Sequence, residues 1–342
     1  MKSKDLADPT AESRKQDHIE LAFQSQVKRN QVDPRFSYEP LLAAHPDEDY
    51  NLSTHILGKT LRTPIWVSSM TGGTEMATRI NHNLARACGE FGMGMGLGSC
   101  RSLLYDDARL GDFDVKHLMP NQPLFANLGV AQLEELIDEH QFDRVEKMID
   151  LLKADGLIIH VNPMQEWLQP EGDRYKRSSL ETIQYTLEHL NRDIIVKEVG
   201  QGMGRASLKA LMQLPLQAID FAASGGTNFA LLELLRAQPE MMEAFGGFTK
   251  VGHDAKEMTL LFNELLEELG DQALCKHIII SGGVNGFLDG YYYTQLANST
   301  AIYGQASAFL KQAMGDYETL QTYIIKQRKG LQMAHSFLRI KS

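Results

Sequence analysis

Within seven residues His160, Asn162, Gln165 and Glu166 follow directly on the apolar run Gly156-Leu157-Ile158-Ile159. A strand that only fills a core has no use for an imidazole, two amides and a carboxylate at its end. Such a set can orient a polar substrate and offer one carboxylate to a hard divalent cation such as Mg2+, which takes one or two carboxylates and completes its shell with phosphate oxygens and water. Glu166 read alone is equally an acid at a helix start, favoured by the positive end of the helix. Lys197 closes a second apolar run, Ile194-Ile195-Val196. An ammonium there is costly unless it meets an anion or an electron-rich ring, and a salt bridge to Glu198 is the plain alternative.

Two further tips, Ser281-Gly282-Gly283 and Gly304-Gln305-Ala306-Ser307, have the composition of an anion cradle. Glycine lets backbone N–H groups converge on phosphate oxygens, although tight turns want glycine as well. Ser68, Ser69, Met70 and Thr71 precede a glycine pair and offer N–H groups and hydroxyls to the polar edge of a flat heterocycle, with Ser99, Asn127 and Thr227 as further rim groups. Taken singly, each is also an ordinary turn residue. Arg14 and Lys15, near the amino terminus, read as solvated helix charges unless their segment folds over the site.

The elements that would carry these tips form a repeating series. Apolar runs begin near residues 64, 94, 123, 156, 193, 218, 277 and 300, and most are separated by segments of helical spacing, such as Glu75 to Phe91, Leu133 to Leu152, Leu180 to Leu190 and Asp289 to Leu296. Eight near-continuous apolar strands alternating with helices predict a (β/α)8 TIM barrel, in which functional residues gather at the carboxyl ends of the strands. The longer interval from Gly226 to His277 predicts a helical insertion after strand six. Residues 1–60 are expected to form an N-terminal extension to a single-domain barrel over residues 61–342.

The chain has 342 residues, 43% hydrophobic and 23% charged, with a net charge of -10. This balance argues against nucleic acid and anionic membrane as partners, since both require a concentrated positive face. No apolar run is long enough for a membrane span, and the polar start lacks the apolar centre of a signal peptide, so a cytoplasmic protein is expected. Cys88, Cys100 and Cys275 are too scattered for a disulfide framework or a metal site.

Taken in order, "RKQDH" (14–18), "SSMTGG" (68–73), "GSCR" (98–101), "ANLG" (126–129), "IHVNPMQE" (159–166), "VKEVG" (196–200), "SGGT" (224–227), "SGGVNGFLD" (281–289) and "ASAFL" (306–310) resemble the type 2, flavin-dependent isopentenyl-diphosphate isomerases. The resemblance implies FMN, Mg2+ and NADPH as reductant, isopentenyl and dimethylallyl diphosphate as substrates, and a homo-oligomer, tetramer or octamer. It implies that Ser68, Ser69, Met70, Thr71, Ser99, Asn127, Lys197 and Thr227 surround the flavin ring and ribityl chain, with Gly283, Val284, Asn285, Ala306 and Ser307 at its phosphate. Arg14, Lys15, His18, Ser99, Arg101 and Gln165 would bind substrate, Glu166 the metal, and His160, Asn162 and Gln165 would line the pocket in support of a flavin that is itself acid and base. Two positions depart from the pattern. Asn285 stands where an arginine is common, leaving a charge missing near the flavin phosphate, and Cys100 replaces a glutamine expected at the rim. The competing readings are a flavin barrel of the hydroxy-acid oxidase or dehydrogenase type, which needs a substrate-carboxylate clamp or a base paired with a second acceptor, and a non-catalytic phosphate-binding barrel.

Overall fold

The computed structural model describes residues 11–69 and 75–341. Eight parallel strands close into a barrel in strict sequence order: β1 (Ile65–Val67), β2 (Gly94–Gly96), β3 (Leu124–Gly129), β4 (Gly156–Val161), β5 (Asp193–Glu198), β6 (Ala218–Asp220), β7 (Ile278–Ile280) and β8 (Ala301–Gln305). All eight fall inside the apolar runs read from the sequence. Strands buried on both faces need no polar alternation, and β3 is buried at every position. The expected helical stretch from Leu133 to Leu152 is instead two helices, Val130–Asp138 and Asp143–Leu152, broken where His140 takes a positive φ of 56°.

Side-chain alternation along each strand decides what faces the barrel axis. Trp66, Phe125, Ile158, Ile195, Ala218, Ile279 and Ile302 fill the interior together with Ile56, Leu57 and Leu61. Those last three belong to a hairpin, Thr54–Ile56 paired with Lys59–Leu61, which plugs the amino-terminal end of the barrel. Two residues further along the inward-facing series lie Ser68, Asn127, His160, Lys197, Asp220, Ser281 and Gly304. The layer at the carboxyl end of the barrel is therefore polar for the same reason that the layer beneath it is apolar.

The insertion after β6 is helical: Phe229–Arg236, Pro239–Phe245 and Ala255–Leu269, with a 3-10 turn at Gly246–Lys250. A short bridge pairs Ser224 with Asp254, so the excursion returns to the tip from which it left. The extension before the barrel contributes a helix, Ala11–Leu21, exposed along its described side chains, and a strand, Phe36–Tyr38, paired antiparallel with Leu338–Ile340 at the other end of the chain. Among the described residues no helix is long and apolar enough to cross a membrane.

Candidate active site

Two cavities of about 320 Å3 each open at the carboxyl ends of the strands. Ser69, Lys197, Val199 and Phe229 line both, so they are adjoining chambers of one cleft.

The first chamber is bounded by the tips of β1, β5, β6, β7 and β8. Ser68 and Ser69 are buried, and their hydroxyl oxygens have no hydrogen-bond partner among the described residues. Buried hydroxyls are normally satisfied, so a pair of orphans facing a cavity is an unfilled demand for a polar ligand edge. The strand-seven tip is a backbone cradle, with Gly282 at φ 87° and Gly283 at φ 70°. A side chain at Gly282 would come within 2.0 Å of the carbonyl oxygen of Ala223, so the tips of β6 and β7 meet backbone to backbone. Asn285, Val284, Ala306, Ser307 and Thr227 line this chamber, as does Lys311 on the helix Ser307–Ala313. Met70 and Thr71 lie outside the described residues.

Lys197 stands at the junction. It is buried, and its ammonium donates to the backbone carbonyl of Glu198 at 2.7 Å, not to that residue's carboxylate. The Glu198 carboxylate instead accepts from the N–H groups of Gly200, Gln201 and Gly202 at 2.6, 2.6 and 3.0 Å, which organises the strand-five turn, while burial pushes its pKa up. Beside Lys197 in register lies Asp220, fully buried. Its Oδ1 accepts from Ser281, its Oδ2 has no partner among the described residues, and burial raises its pKa against the opposing pull of Lys197.

The second chamber is built on β3, β4 and the short helix Pro163–Leu168. Proline at the first helical position pre-sets its backbone angle, which explains how a helix starts immediately after the strand. Asn127 donates its amide to the carbonyl of Leu97 at 2.9 Å, so its oxygen faces His160 Nδ1 at 2.8 Å and accepts from it. That arrangement fixes the proton on Nδ1 and leaves Nε2 bare. Burial, aided by Lys197, brings the His160 pKa down to about 3, so the ring is neutral at ordinary pH. His160 faces Gly129 across the ladder, where a Cβ would approach Nε2 to 2.7 Å.

Asn162 donates to Glu166 Oε1 at 3.0 Å and to Gln165 Oε1 at 3.1 Å, and accepts from the hydroxyl of Tyr175 at 2.7 Å. Glu166 is buried, and its Oε2 accepts from the N–H of Asp173 at 2.8 Å. Gln165 donates to Glu233, a buried carboxylate on the inserted helix. Leu168 packs on Ala230 and Leu234 of that helix, so the insertion clamps the segment bearing Gln165 and Glu166. Ser99 and Arg101 complete the wall. Arg101 is half exposed and paired with Asp173 at 3.3 Å and Glu135 at 3.9 Å, open contacts that exchange readily for a stronger anion.

The structure thus brings together the described strand-tip residues read from the sequence. Arg14, Lys15 and His18 are exposed on the helix Ala11–Leu21 and line neither chamber. Cys100 is not at the rim: it is fully buried, its thiol donates toward the Gly98 carbonyl, and burial pushes its pKa up to about 12. Sequence reading missed Asp220 and Glu233. Both carry a recognisable signal, an acid at an inward strand position level with Lys197 and a lone acid on the Ala230-Leu234 face of an otherwise apolar helix turn.

An eight-stranded parallel barrel with a two-chamber polar mouth places the chain in the TIM-barrel class of folds, and solved structures similar to it in fold share that architecture. They include a flavocytochrome b2 variant with benzoylformate (TM-score 0.59, 13% identity, covering 89% of this chain and 75% of that one) and a mandelate oxidase variant with (S)-mandelic acid (TM-score 0.55, 11% identity, 90% and 86%). No family model matches the chain. Curated relatives are closer in sequence: the isopentenyl-diphosphate delta-isomerase of Rickettsia peacockii (strain Rustic) is 34% identical over 304 residues, 88% of this chain and 85% of that protein, and that of Rickettsia akari (strain Hartford) is 34% identical over 305 residues, 88% and 86%. The chain belongs to the isopentenyl-diphosphate delta-isomerase family and is an isomerase.

Proposed function

We propose that the protein interconverts isopentenyl and dimethylallyl diphosphate as an enzyme of the type 2, FMN-dependent kind, with Mg2+ on Glu166 and NADPH as the reductant that keeps the flavin reduced. The observation that carries this reading is the pairing of chambers: a glycine-walled one with two orphaned serine hydroxyls, sharing Lys197 with one that holds a buried carboxylate and an exchangeable arginine.

Ser68, Ser69, Asn127 and Lys197 suit the polar edge of a flavin ring, while Gly283, Val284, Asn285, Ala306 and Ser307 suit its phosphate. When bound and reduced, the flavin supplies an electron-rich face and the proton donor and acceptor for the alkene. The protein's share is position and electrostatics. Glu166, oriented by Asn162 and the Asp173 N–H, would hold the metal, which would supply positive charge to the diphosphate. Arg101 offers a planar fork to those oxygens. Binding energy from the diphosphate places the hydrocarbon end beside the ring, where a neutral His160 presents no competing acid. Residues 1–60 are assigned as an extension whose Arg14 and Lys15 add cations, and whose His18 adds a polar contact, to the bound substrate, and exposed Phe23 and Leu41 there favour a homo-oligomer.

Fold likeness to hydroxy-acid enzymes favours the competing oxidoreductase reading, but the buried Glu166 carboxylate that lines the second chamber disfavours a substrate carboxylate there. The test is conversion of isopentenyl diphosphate with FMN, NADPH and Mg2+, each omitted in turn. Turnover should require all three, with NADPH consumed far below product formed because the reaction has no net redox change. Full turnover by flavin-free protein, or flavin reduction by 2-hydroxy acids without isomerisation, would overturn it.

A further inference from the structure

A phosphate monoester carries about 1.5 to 2 negative charges at neutral pH. The first chamber offers it little formal charge in return: Gly282, Gly283, Asn285, Ala306 and Ser307 are all neutral. Lys197 lines both chambers, which sets it at their junction, and its ammonium is held by the Glu198 carbonyl. Arg35, connected to the strand-seven loop through Asp289, is matched by two carboxylates, at 2.7 Å from each of Asp33 and Asp289. The Asp289 carboxylate also accepts the N–H of Asn285 at 2.8 Å, so this group brings negative charge toward the loop.

Lys311 lines the same chamber and makes no ion pair among the described residues. It lies four residues after Ser307 on one helix, so the two share a face. Side chains on a helix lean toward its start, which carries the lysine stem back over the turn that Ser307 begins. We infer that Lys311 is the side-chain cation for the phosphate of a bound flavin mononucleotide, standing in for the charge that Asn285 does not supply. The inference rests on the flavin reading above and assigns a residue that reading does not use. It makes Lys311 a determinant of nucleotide against nucleoside flavin, acting at the phosphate and not at the ring.

The experiment is titration of the full chain and of Lys311→Gln and Lys311→Arg with FMN and with riboflavin, followed by quenching of flavin fluorescence at low and high salt. Lys311→Gln should lose about tenfold in FMN affinity, hold riboflavin as the unsubstituted chain does, and show a weaker salt dependence for FMN. Lys311→Arg should restore most of the preference. Because Lys311 is exposed, both variants should unfold at the midpoint of the unsubstituted chain. If Lys311→Gln keeps the same ratio of FMN to riboflavin affinity, the inference is overturned while the flavin reading stands. If the unsubstituted chain binds neither flavin, both fall.

Discussion

His160 is held as a neutral base with a single tautomer, and this has a measurable pH consequence. Its pKa falls from 6.5 to about 3 on folding. Below pH 6.5 the unfolded chain therefore takes up a proton that the native state refuses, so this residue's contribution to stability is intact above 6.5 and is lost as pH falls from there toward about 3. The loss is at most about 1.4 kcal/mol per pH unit, a ceiling because the ring borders the open cleft. His160→Asn removes the titration. Urea unfolding between about pH 6 and 4.5 should then show a slope of stability against pH flatter by up to one proton. Equal slopes would mean that the native ring titrates normally. Activity across the same range should show no step from His160, since the residue is already neutral at the upper limit.

At the scale of elements, what builds the site is the close approach of strand tips. Gly282 and Gly58 both have positive φ, 87° and 68°, yet they differ in surroundings: a Cβ at Gly282 meets the Ala223 backbone at 2.0 Å, while nothing lies within 4 Å of one at Gly58. Gly58→Ala should cost about 1 kcal/mol, the left-handed conformation alone. Gly282→Ala adds overpacking against immobile backbone, so about 3 kcal/mol or more is expected, with flavin binding lost as the β6 and β7 tips separate. Chemical denaturation of both variants checks the difference, and equal costs would refute the backbone contact. The strands bearing these tips were legible in the sequence, because a sheet buried on both faces writes itself as an uninterrupted apolar run. The polar ends were legible for the converse reason, since Lys197 and His160 have no place in a core. What the sequence hid was contact across long separations. Gln165 is oriented by Glu233, 68 residues away, and nothing in the local spacing links them. The single helix expected over Leu133 to Leu152 failed for a different reason: apolar residues recur at helical spacing on both sides of His140, and the break shows only as a shift of the face they mark, which spacing within each half does not reveal.

The whole molecule ties its ends together away from the substrate chamber while leaving one segment outside the packed body. Phe36–Tyr38 pairs with Leu338–Ile340, and Tyr291 donates to the Leu338 carbonyl at 2.7 Å, so the extension is anchored from residue 36 onward. Upstream of that anchor, residues 13–32 are exposed, including Ile19, Phe23 and Val27. Burial of that stretch therefore contributes little to the stability of the barrel in isolation. Its basic residues nevertheless have a use in the proposed reaction, since Mg2+ on one carboxylate and a half-exposed Arg101 leave part of a diphosphate's charge unmatched. Closure of the segment over the second chamber would bring Arg14 and Lys15 to those oxygens and exclude water from a cationic alkene. Deletion of residues 1–20 separates these roles. The shortened protein should retain its unfolding midpoint and its FMN affinity, because neither the barrel core nor the first chamber draws on the segment. Its KM for isopentenyl diphosphate should rise about tenfold or more and its kcat should fall, the loss of one or two charge-assisted phosphate contacts. Diphosphate substrate should also protect the segment of the intact protein from proteolysis more than inorganic phosphate does. Unchanged kinetics in the shortened protein would return Arg14, Lys15 and His18 to the status of solvated helix residues and leave Arg101 and the metal to hold the diphosphate alone.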